Sequence, residues 1–533
     1  MKVHVQVNEQ GALRNGRYAF GNRYTVLSEL LQNARRAGAS AVHVEYLDVI
    51  QRLRVTDDGC GIDDFQKLLS LHESGWDEQL ANSEGAFGMG FSKCLYAAKS
   101  VSVTSRGMTL AFECADALAQ AELEVVPAPE TDRRKTVVQL DGVELPHLRV
   151  IIGRMVRGFP IPVYFNGEPC ERSHALDARL FVKTPIGMVH LAGVETGRPS
   201  DLVAVYLQGL LVADAALAGY LSQDEVDVIH LDLQRFAARL PDRTELIDPL
   251  EARERIDRRI KRTWRLTLLQ HKALMAPQDF VDRYYEAARC KDLLEVFDDV
   301  DVLPRRAYSL VSAYPGVPMR EECDYRLVGE SHLHRSDINA GVVRLAAYEP
   351  GLKGPNVATL MYAQAASVVL VDLGMLGPNH WVQHGLRDLT REAVTVTAVD
   401  VTAEASFRGA YAQAPVRACD HIEIVHGNDK VVLRDKAIFW DGAIFYPRSC
   451  RDGQVVMQVS DYRTAQDHVD ELACGVDEDL LARFMRKLRC PDPVALLQCV
   501  LEEICWTDYP QLSGRRFRVI IGSSDATLTV IQA

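Results

Sequence analysis

A carboxylate and an amide stand one helical turn apart near the start of the chain. Glu29 and Asn33 are four residues apart in a stretch whose apolar residues recur at helical spacing, so both project from one side of a helix predicted over residues 25–37. A carboxylate placed in this way can take a proton from water, and an amide oxygen is a ligand that Mg²⁺ can share with phosphate oxygens. The pair predicts chemistry at a phosphate group; the alternative is that Glu29 is an ordinary solvated carboxylate.

A second cluster follows the strand predicted over residues 51–56. It reads Asp57-Asp58-Gly59-Cys60-Gly61-Ile62. A buried Asp at the end of a strand can accept a hydrogen bond from an exocyclic amine such as that of adenine, and glycines let the backbone lie close to a ligand. The cluster predicts a site for such a base, unless these residues form no more than a turn.

A glycine-rich loop is the third cluster. It reads Gly85-Ala86-Phe87-Gly88-Met89-Gly90-Phe91 and enters a helix predicted over residues 91–98. A loop of this kind offers backbone N–H groups to phosphates, although a glycine triplet alone is a weak signal. The polar residues 73–83 before it, with Gly75 as a hinge, are interpreted as a mobile lid.

A sheet and two helices must hold these clusters together. Alternating apolar and polar residues predict the strands of that sheet. Besides residues 51–56, they cover residues 41–46, 101–105, 109–114 and 136–140. Gly38 is expected to end the first helix. Mixed helices and strands predict an α+β fold.

The composition is that of a soluble protein with several domains. The 533 residues are 47% apolar and 25% charged, with a net charge of −13, and the length exceeds that of one ordinary core. An acidic chain lacks the broad positive field of a dedicated nucleic-acid binder. The 12 cysteines include no Cys-x-x-Cys pair and are expected to be reduced. Met1–Val7 alternates as a strand rather than a signal peptide, and no apolar run reaches the roughly 20 residues of a membrane span. We therefore expect a cytoplasmic protein with no membrane partner.

In order and spacing, the three clusters resemble the motifs of the Bergerat-fold GHKL ATPases. The pattern is Glu-x-x-x-Asn-Ala, then Asp-x-Gly-x-Gly-Ile, then Gly-x-x-Gly-x-Gly, within roughly residues 20–140. This superfamily includes gyrase-type topoisomerases, ninety-kilodalton heat-shock chaperones, sensor histidine kinases and MutL proteins. The glycine-rich loop and Glu73-Ser74-Gly75 in the lid look most similar to the chaperone branch. The resemblance implies an α/β sandwich that binds ATP and Mg²⁺.

The resemblance also implies roles for individual residues. Glu29 would be the general base and Asn33 the Mg²⁺ ligand. Asp57 would read the adenine amine, with support from Thr136. The other positions that would line the nucleotide are Gly59, Gly61, Ile62, Gly85, Phe87, Gly88, Gly90 and Phe91. For Phe87, packing within the lid is an alternative. One position departs from the family pattern, since Arg36 stands where many members have an Asp.

The next segment resembles the transducer domain of GHKL ATPases in position and strand content. In that family a ribosomal-protein-like α/β domain supplies a Lys or Arg to the γ-phosphate. The candidate is Arg243, which the resemblance would make a catalytic residue; the alternative is a surface arginine paired with Asp242 or Glu245. A very basic helix, predicted over residues 248–272, closes the segment and is interpreted as a solvated face with ion pairs inside the helix.

The C-terminal half matches no family pattern, and its residues predict only a mixed α/β region. Strands are expected over residues 366–373, 516–521 and 526–531. Hairpins are expected over residues 421–433 and 436–446, and helices over residues 279–297, 477–489 and 493–506.

The sequence therefore predicts three domains. They are a nucleotide domain (1–150), a transducer-like domain (151–275) and a C-terminal region (276–533). We expect an ATPase whose lid closure drives chaperone-like remodelling of a protein partner, with the C-terminal half selecting that partner and with a homodimer as in the family. One alternative is a MutL-like or topoisomerase-like clamp on nucleic acid, which the net charge disfavours. The other is a nucleotide-sensing interaction module with negligible turnover.

Overall fold

The structure is a computed structural model, and the chain divides into two compact units, Met1–Val296 and Phe297–Ala533. The described residues are 4, 8–16, 18, 22–70, 90–128, 135–212, 226–239, 245–314, 325–349, 356–451, 453–462, 470–490, 492–501, 506–522 and 527–532. Within these ranges, no helix combines the length and the apolarity that crossing a membrane requires.

A mixed eight-stranded sheet organises the first part of the first unit. Its strands are β1 (Val42–Leu47), β2 (Arg52–Asp57), β3 (Ser100–Ser105), β4 (Met108–Glu113), β5 (Val125–Pro127), β6 (Thr136–Asp141), β7 (Val163–Phe165) and β8 (Glu168–Pro169). They lie in the order β5-β4-β3-β6-β2-β1-β7-β8. Neighbours are antiparallel except β1 and β7, which are parallel. All five predicted strands are present, and those predicted over residues 101–105 and 109–114 pair as a hairpin.

The sheet extends beyond residue 150, where the sequence analysis placed the end of the nucleotide domain. One side of β1 pairs with β2, so its other side offers unpaired backbone groups to the returning chain. There β7 pairs with β1, and the N–H of Val42 donates to the carbonyl of Pro162 at 2.9 Å. The segment 160–170 thus completes the first sheet rather than the second.

The first helices of this unit pack on that sheet. They are α1 (Glu9–Gly16), α2 (Thr25–Arg36), α3 (Gln66–Leu69), α4 (Ser92–Ala97), α5 (Cys114–Leu118) and α6 (Leu148–Met155). Leu27 and Leu31 of α2 are fully buried in one core with alternate residues of β1, as the helical spacing predicted. Each such side chain contributes about 1.5–3 kcal/mol to stability.

The end of α2 is set by Gly38, as predicted. Gly38 has φ +70°, and the next N–H, that of Ala39, donates to the carbonyl of Ala34 at 3.1 Å. This is the pattern of a Schellman cap, in which a glycine takes the left-handed conformation just after the helix. The cap directs the chain from α2 straight into β1.

One boundary differs from the sequence analysis. The strand predicted to reach residue 114 ends at Glu113, which pairs with Ser100, the first residue of β3. One more backbone hydrogen bond, from the N–H of Cys114 to the carbonyl of Lys99 at 2.8 Å, follows that pair, and the chain then turns into the short helix α5, which begins at Cys114. The predicted strand over residues 1–7 lies mostly outside the described residues.

A second sheet follows in the first unit. Its five strands are β9 (Val182–Thr184), β10 (Gly187–His190), β11 (Val203–Leu207), β12 (Leu210–Leu211) and β13 (Asp227–Leu231), in the order β12-β11-β13-β10-β9. Neighbours are antiparallel except β11 and β13.

Two long helices close the first unit, α7 (Pro249–Leu274) and α8 (Pro277–Cys290). The basic helix is present, but its ion pairs do not all lie inside the helix as interpreted. Arg253 and Asp257 form an exposed pair within it, whereas Lys261 contacts Asp292 at 2.6 Å. Arg265 likewise contacts Glu295 at 3.3 Å. The reason is tertiary: α8 returns alongside α7 and brings the residues after it to the middle of the basic helix.

The second unit contains several small sheets. Its strands are β14 (Val302–Leu303), β15 (Tyr308–Val311), β16 (Arg326–Val328), β17 (Leu333–His334), β18 (Arg344–Ala347), β19 (Val368–Val371), β20 (Arg387–Asp388), β21 (Val394–Val399), β22 (Ala403–Arg408), β23 (Gln413–Cys419), β24 (His421–His426), β25 (Asp429–Leu433), β26 (Ile438–Trp440), β27 (Ala443–Pro447), β28 (Phe517–Ile521) and β29 (Leu528–Gln532). The sheet orders are β14-β17, β16-β15-β19-β18-β20, β21-β24-β25, β22-β23-β27-β26 and β28-β29.

The helices of the second unit are α9 (Arg335–Asn339), α10 (Val357–Ala365), α11 (Glu471–Arg489) and α12 (Pro493–Leu501). The predicted hairpins are confirmed, with turns at Gly427 and at Asp441-Gly442, where φ is positive. The helix predicted from residue 477 begins earlier, because the Asp470 carboxylate accepts the N–H of Ala473 at 3.0 Å and caps the helix there.

Candidate functional site

The helix α2 places Glu29 in the interior of the first unit. Only 5% of Glu29 is exposed, and its Oε1 lies 3.4 Å from Nζ of Lys93 on α4, which is 3% exposed. A buried carboxylate and a buried ammonium each cost several kcal/mol to desolvate, so removing either one leaves an uncompensated charge. Glu29 is therefore a buried member of a charge pair, and the solvated-carboxylate alternative is wrong.

The last glycine of the glycine-rich loop lies against the same carboxylate. A Cβ atom at Gly90 would collide with Oε2 of Glu29, so the backbone approaches the carboxylate as closely as only glycine allows. Phe91, the next residue, is buried in the core beside α4. The first and third sequence clusters meet here.

Asp57 stands at the end of β2, as predicted. Its Oδ1 accepts the N–H of Gly59 at 2.9 Å, and no other residue in the described ranges donates to this carboxylate. Burial raises the pKa of Asp57, the nearby Asp58 adds to that rise, and the Gly59 N–H acts in the opposite direction. Asp58 differs, because hydrogen bonds from Ser40 lower its pKa. The Asp57 carboxylate can thus accept further hydrogen bonds, whereas that of Asp58 already accepts hydrogen bonds from Ser40.

The second cluster also contacts α2. The N–H of Cys60 donates to the carbonyl of Ala37 at 2.9 Å, just after the helix, and a Cβ at Gly59 would lie 2.5 Å from the Cβ of Ala37. Gly61 has φ +80°, a conformation that favours glycine. The described residues of the second and third clusters therefore lie against α2 or its C-terminal end, with only Gly90 and Phe91 described in the third.

Thr136 faces Asp57 directly across the β2–β6 ladder. Its hydroxyl lies 3.0 Å from the hydroxyl of Ser105, and Ser105 Oγ accepts the N–H of Ile62 at 3.0 Å. This chain of hydrogen bonds ties the loop after Asp57 to the neighbouring strands. The role that the resemblance implies for Thr136, support of the adenine-binding Asp57, stays a prediction.

Asn33 lies one turn beyond Glu29 on α2 and is partly buried. Its Oδ1 accepts a long hydrogen bond, 3.4 Å, from Arg36. Among the described residues, no group of three or more His, Cys, Asp or Glu side chains is placed to hold a metal ion. A magnesium ion at this site would have Asn33 as its protein ligand and phosphate oxygens as the others, a common arrangement for Mg²⁺, and it would compete with Arg36 for the amide oxygen.

Several predicted site residues lie outside the described residues. They are Gly85, Phe87, Gly88 and Arg243, together with the lid over residues 73–83.

Other contacts were not found from the sequence. Lys93 was missed because its partner is 64 residues away, and nothing in its local pattern marks it. Arg106, in the β3–β4 turn, donates to the carbonyl of Cys60 at 2.6 and 3.0 Å and pairs with Asp63. Its positive φ of 52° follows from its position in a two-residue hairpin turn. The Arg106-Gly107 pair between two predicted strands identified this turn, but it did not predict the contact of Arg106 with Cys60.

The second sheet contacts α2, the helix that carries the site. Gln32, which is 1% exposed, donates from Nε2 to the carbonyl of Gln208 at 2.9 Å. Gln208 and Gly209 form the turn between β11 and β12, and Leu210 packs into the core of the first sheet. Movement of this turn would therefore displace its hydrogen-bond partner Gln32, the residue that precedes Asn33.

The arrangement of an acidic helix residue, a strand-end aspartate and a glycine-rich loop around α2 can be compared with known families. Residues 22–139 match the histidine kinase-, DNA gyrase B- and HSP90-like ATPase family. The match supports assignment of this segment to the GHKL superfamily, and with it ATP binding. It includes Glu29, Asn33, Asp57, Gly90 and Thr136 and ends within β6, before the strands β7 and β8. No curated protein matches the chain.

Proposed function

We propose that the site on α2 binds ATP with Mg²⁺ and hydrolyses it. The observation that carries this proposal is the convergence on one helix of Glu29, the Asp57 loop and Gly90. Phosphoryl transfer depends mostly on positioning and on charge stabilisation. Glu29 would supply a general base, the Asp57 loop a contact for the adenine ring, and Gly90 a close approach of the backbone.

In this proposal Asp57 accepts a hydrogen bond from the adenine amine. Asn33 holds Mg²⁺, which would neutralise part of the phosphate charge. The oxygen of a water molecule attacks the γ-phosphorus, and the bond to the β–γ bridging oxygen breaks with its electron pair remaining on ADP. The proton of the water passes to Glu29.

The finer parts of the proposal concern how ATP binding and hydrolysis are coupled to conformational change. Residues 73–83 would close over the nucleotide, and Arg243 would contact the γ-phosphate. What supports coupling is the contact between Gln32 and Gln208, since it joins the second sheet to the helix of the site. A cycle of closure and release in a homodimer would remodel a protein partner, in the manner of the chaperone branch.

A nucleic-acid clamp is the less favoured function. The basic helix α7 would be its contact surface, but Lys261 and Arg265 already pair with acidic residues, and Arg255 stacks on the ring of Phe236 at 4.3 Å. These pairings reduce the positive charge that phosphates would meet.

Phosphate release and ATP affinity of the wild type, with Mg²⁺ and after chelation, test the proposal. Turnover that requires Mg²⁺ supports hydrolysis. Tight ATP binding without phosphate release would instead favour a nucleotide-sensing module, and absence of binding would remove the basis of the proposal.

The role of Arg243 has a matched control in Arg239, an exposed arginine that pairs with Glu245 at 3.6 Å. We expect Arg243→Ala to lower turnover by about 10- to 1,000-fold, in the range of lost transition-state charge contacts, and Arg239→Ala to leave it unchanged. Equal effects of the two changes would exclude a phosphate contact by Arg243.

A further inference from the structure

Lys93 is a buried lysine in contact with the proposed general base. Its Nζ lies 3.4 Å from Oε1 of Glu29, and both residues are almost fully buried. The other oxygen, Oε2, faces Gly90, where a Cβ would collide with it. The carboxylate is therefore held between the glycine-rich loop on one side and an ammonium group on the other.

Burial and a neighbouring cation have opposite effects on a carboxyl group. Burial favours the neutral form, which cannot take a proton from water, whereas a cation within about 4–6 Å favours the charged form. Among the described residues, the thiol of Cys94 also lies near both charges, and the thiol of Cys114 lies near that of Cys94. Burial raises the pKa of Cys94 far above its usual range and that of Cys114 to about 11. Both thiols stay neutral at physiological pH, so they add no negative charge beside the carboxylate, and the ammonium group of Lys93 is in contact with it.

We propose that Lys93 is a positioning residue for ATP hydrolysis, which keeps the Glu29 carboxylate ionised and directed at the attacking water. This inference rests on the proposed function. When water attacks the γ-phosphorus and ADP leaves with the electron pair of the broken bond, the proton of the water must pass to Glu29. A Glu29 that already carries a proton cannot accept it, and hydrolysis stops although ATP is bound.

Lys93 could instead act as a phosphate ligand or as a purely structural residue, and the three roles have different signatures. A phosphate ligand sets ATP affinity. A structural residue changes the rate by one factor at all pH values. A residue that keeps the base ionised changes the pH dependence of turnover and leaves affinity intact.

The decisive variants are Lys93→Met, which removes the charge and keeps the length, and Lys93→Arg, which restores a cation. Phosphate release is measured between about pH 6 and about pH 9, and ATP affinity is measured in parallel. We expect Lys93→Met to move the acid limb of the profile upward by about 2–3 pH units, because the buried carboxylate loses its nearby opposite charge, and therefore to lower the rate at neutral pH by about 10- to 100-fold. ATP affinity should change by less than about twofold, and Lys93→Arg should recover most of the rate.

Lys99→Met is the matched control, because Lys99 is an exposed lysine on the same segment; it should leave the rate and its pH profile unchanged. If Lys93→Met does not fold, Lys93→Gln makes the same test, since it keeps a hydrogen-bond donor and loses the charge. A rate lowered equally at every pH, or a loss of ATP binding, would overturn the proposal.

A readout that does not depend on turnover separates this proposal from the proposed function. In protein with isotope-labelled glutamate, infrared spectra at neutral pH should show a protonated carboxyl band in Lys93→Met. The band should be absent from the wild type and from the double variant Glu29→Gln/Lys93→Met. Absence of the band in Lys93→Met overturns the proposal even if the wild type hydrolyses ATP. A wild type that does not turn over would refute the ATPase role, while the band would still decide whether Lys93 keeps Glu29 charged.

Discussion

The two units bury ionisable side chains in different ways. In the first unit, Glu29 pairs with Lys93 and lies against Gly90, so its surroundings come from motifs far apart in sequence. In the second unit, Asp477 has no exposed surface and accepts four hydrogen bonds. The donors are the N–H groups of Ala410, Tyr411 and Ala412 and the hydroxyl of Tyr462, at 2.5–2.9 Å.

A second cluster of charged side chains in the C-terminal unit, centred on Arg387, is also paired with protein groups, like Asp477. Arg387 donates to Glu392 and Asp429 at 2.6 Å and to the hydroxyl of Tyr362 at 2.7 Å. The charges there are matched by protein partners and tie neighbouring elements together. Burial of a charge alone therefore does not indicate a functional site. What distinguishes Glu29 is its position against a glycine of a loop whose pattern suits phosphate binding.

The largest effect should come from Glu29→Gln. Loss of the base should lower phosphate release about 100- to 10,000-fold, while ATP affinity stays within a few-fold of wild type, because the amide oxygen can still accept a hydrogen bond from Lys93. Glu113→Gln, at an exposed position on β4, is the control. A Glu29→Gln protein that hydrolyses ATP at the wild-type rate would place Glu29 in the structural class with Asp477.

Asp477→Asn should act on stability alone. The amide cannot accept four hydrogen bonds, and each buried donor left without a partner costs about 1–3 kcal/mol, so we expect a local loss of about 3–5 kcal/mol. Hydrogen exchange at the amides of residues 410–412 measures it. Asp479→Asn, an exposed neighbour on α11, should leave the exchange rates unchanged. A fall in ATP turnover in protein that remains folded would contradict the purely structural role.

Asp227, in the second sheet of the first unit, is a buried carboxyl group of a third kind. It is fully buried, its Oδ1 accepts the N–H of Ala192 at 2.7 Å, and Oδ2 has no partner within the described part of the chain. Burial raises its pKa to about 7, against the lowering effects of the Ala192 N–H and Lys291 and with a small rise from Asp201. The folded state therefore holds the proton more tightly than the unfolded state.

The contribution of Asp227 to stability is fully present below the unfolded pKa of 3.8 and is lost as the pH rises towards about 7. The loss is at most about 4 kcal/mol. Asp227→Asn cannot ionise, so its melting temperature should fall less than that of wild type between mildly acidic and neutral pH. Parallel curves for the two proteins would contradict the assignment.

The smallest effect concerns Asp57 and Asp58, which are adjacent but differ in their partners. Asp57→Asn should weaken ATP binding about 10- to 100-fold, the value of one hydrogen bond to a charged group. Asp58→Asn should leave affinity unchanged, because its carboxylate is already bound by Ser40. Calorimetric titration with a non-hydrolysable ATP analogue measures both. Equal affinities would remove Asp57 from the nucleotide site.

Local patterns were sufficient for much of the fold. The helix over Thr25–Arg36, its end at Gly38 and the hairpin around Arg106 follow from periodicity and turn chemistry, which act over a few residues. For the same reason the hairpin over residues 421–433 was predicted in a region with no recognisable family. The short helix at Cys114 was not, because it depends on where the partner strand β3 begins.

For the candidate site, local features of the sequence were sufficient to select the candidate residues. The spacing of Glu29 and Asn33, the aspartate at a strand end and the glycine-rich loop are such features, and they identified the superfamily that residues 22–139 match. The electrostatic environment of these residues depends instead on contacts between distant parts of the chain. Lys93 lies 64 residues from Glu29 in sequence, and the contacts of Thr136 with Ser105 and of Gln32 with Gln208 join separate elements. Such contacts depend on how the chain folds back on itself, which no local pattern encodes.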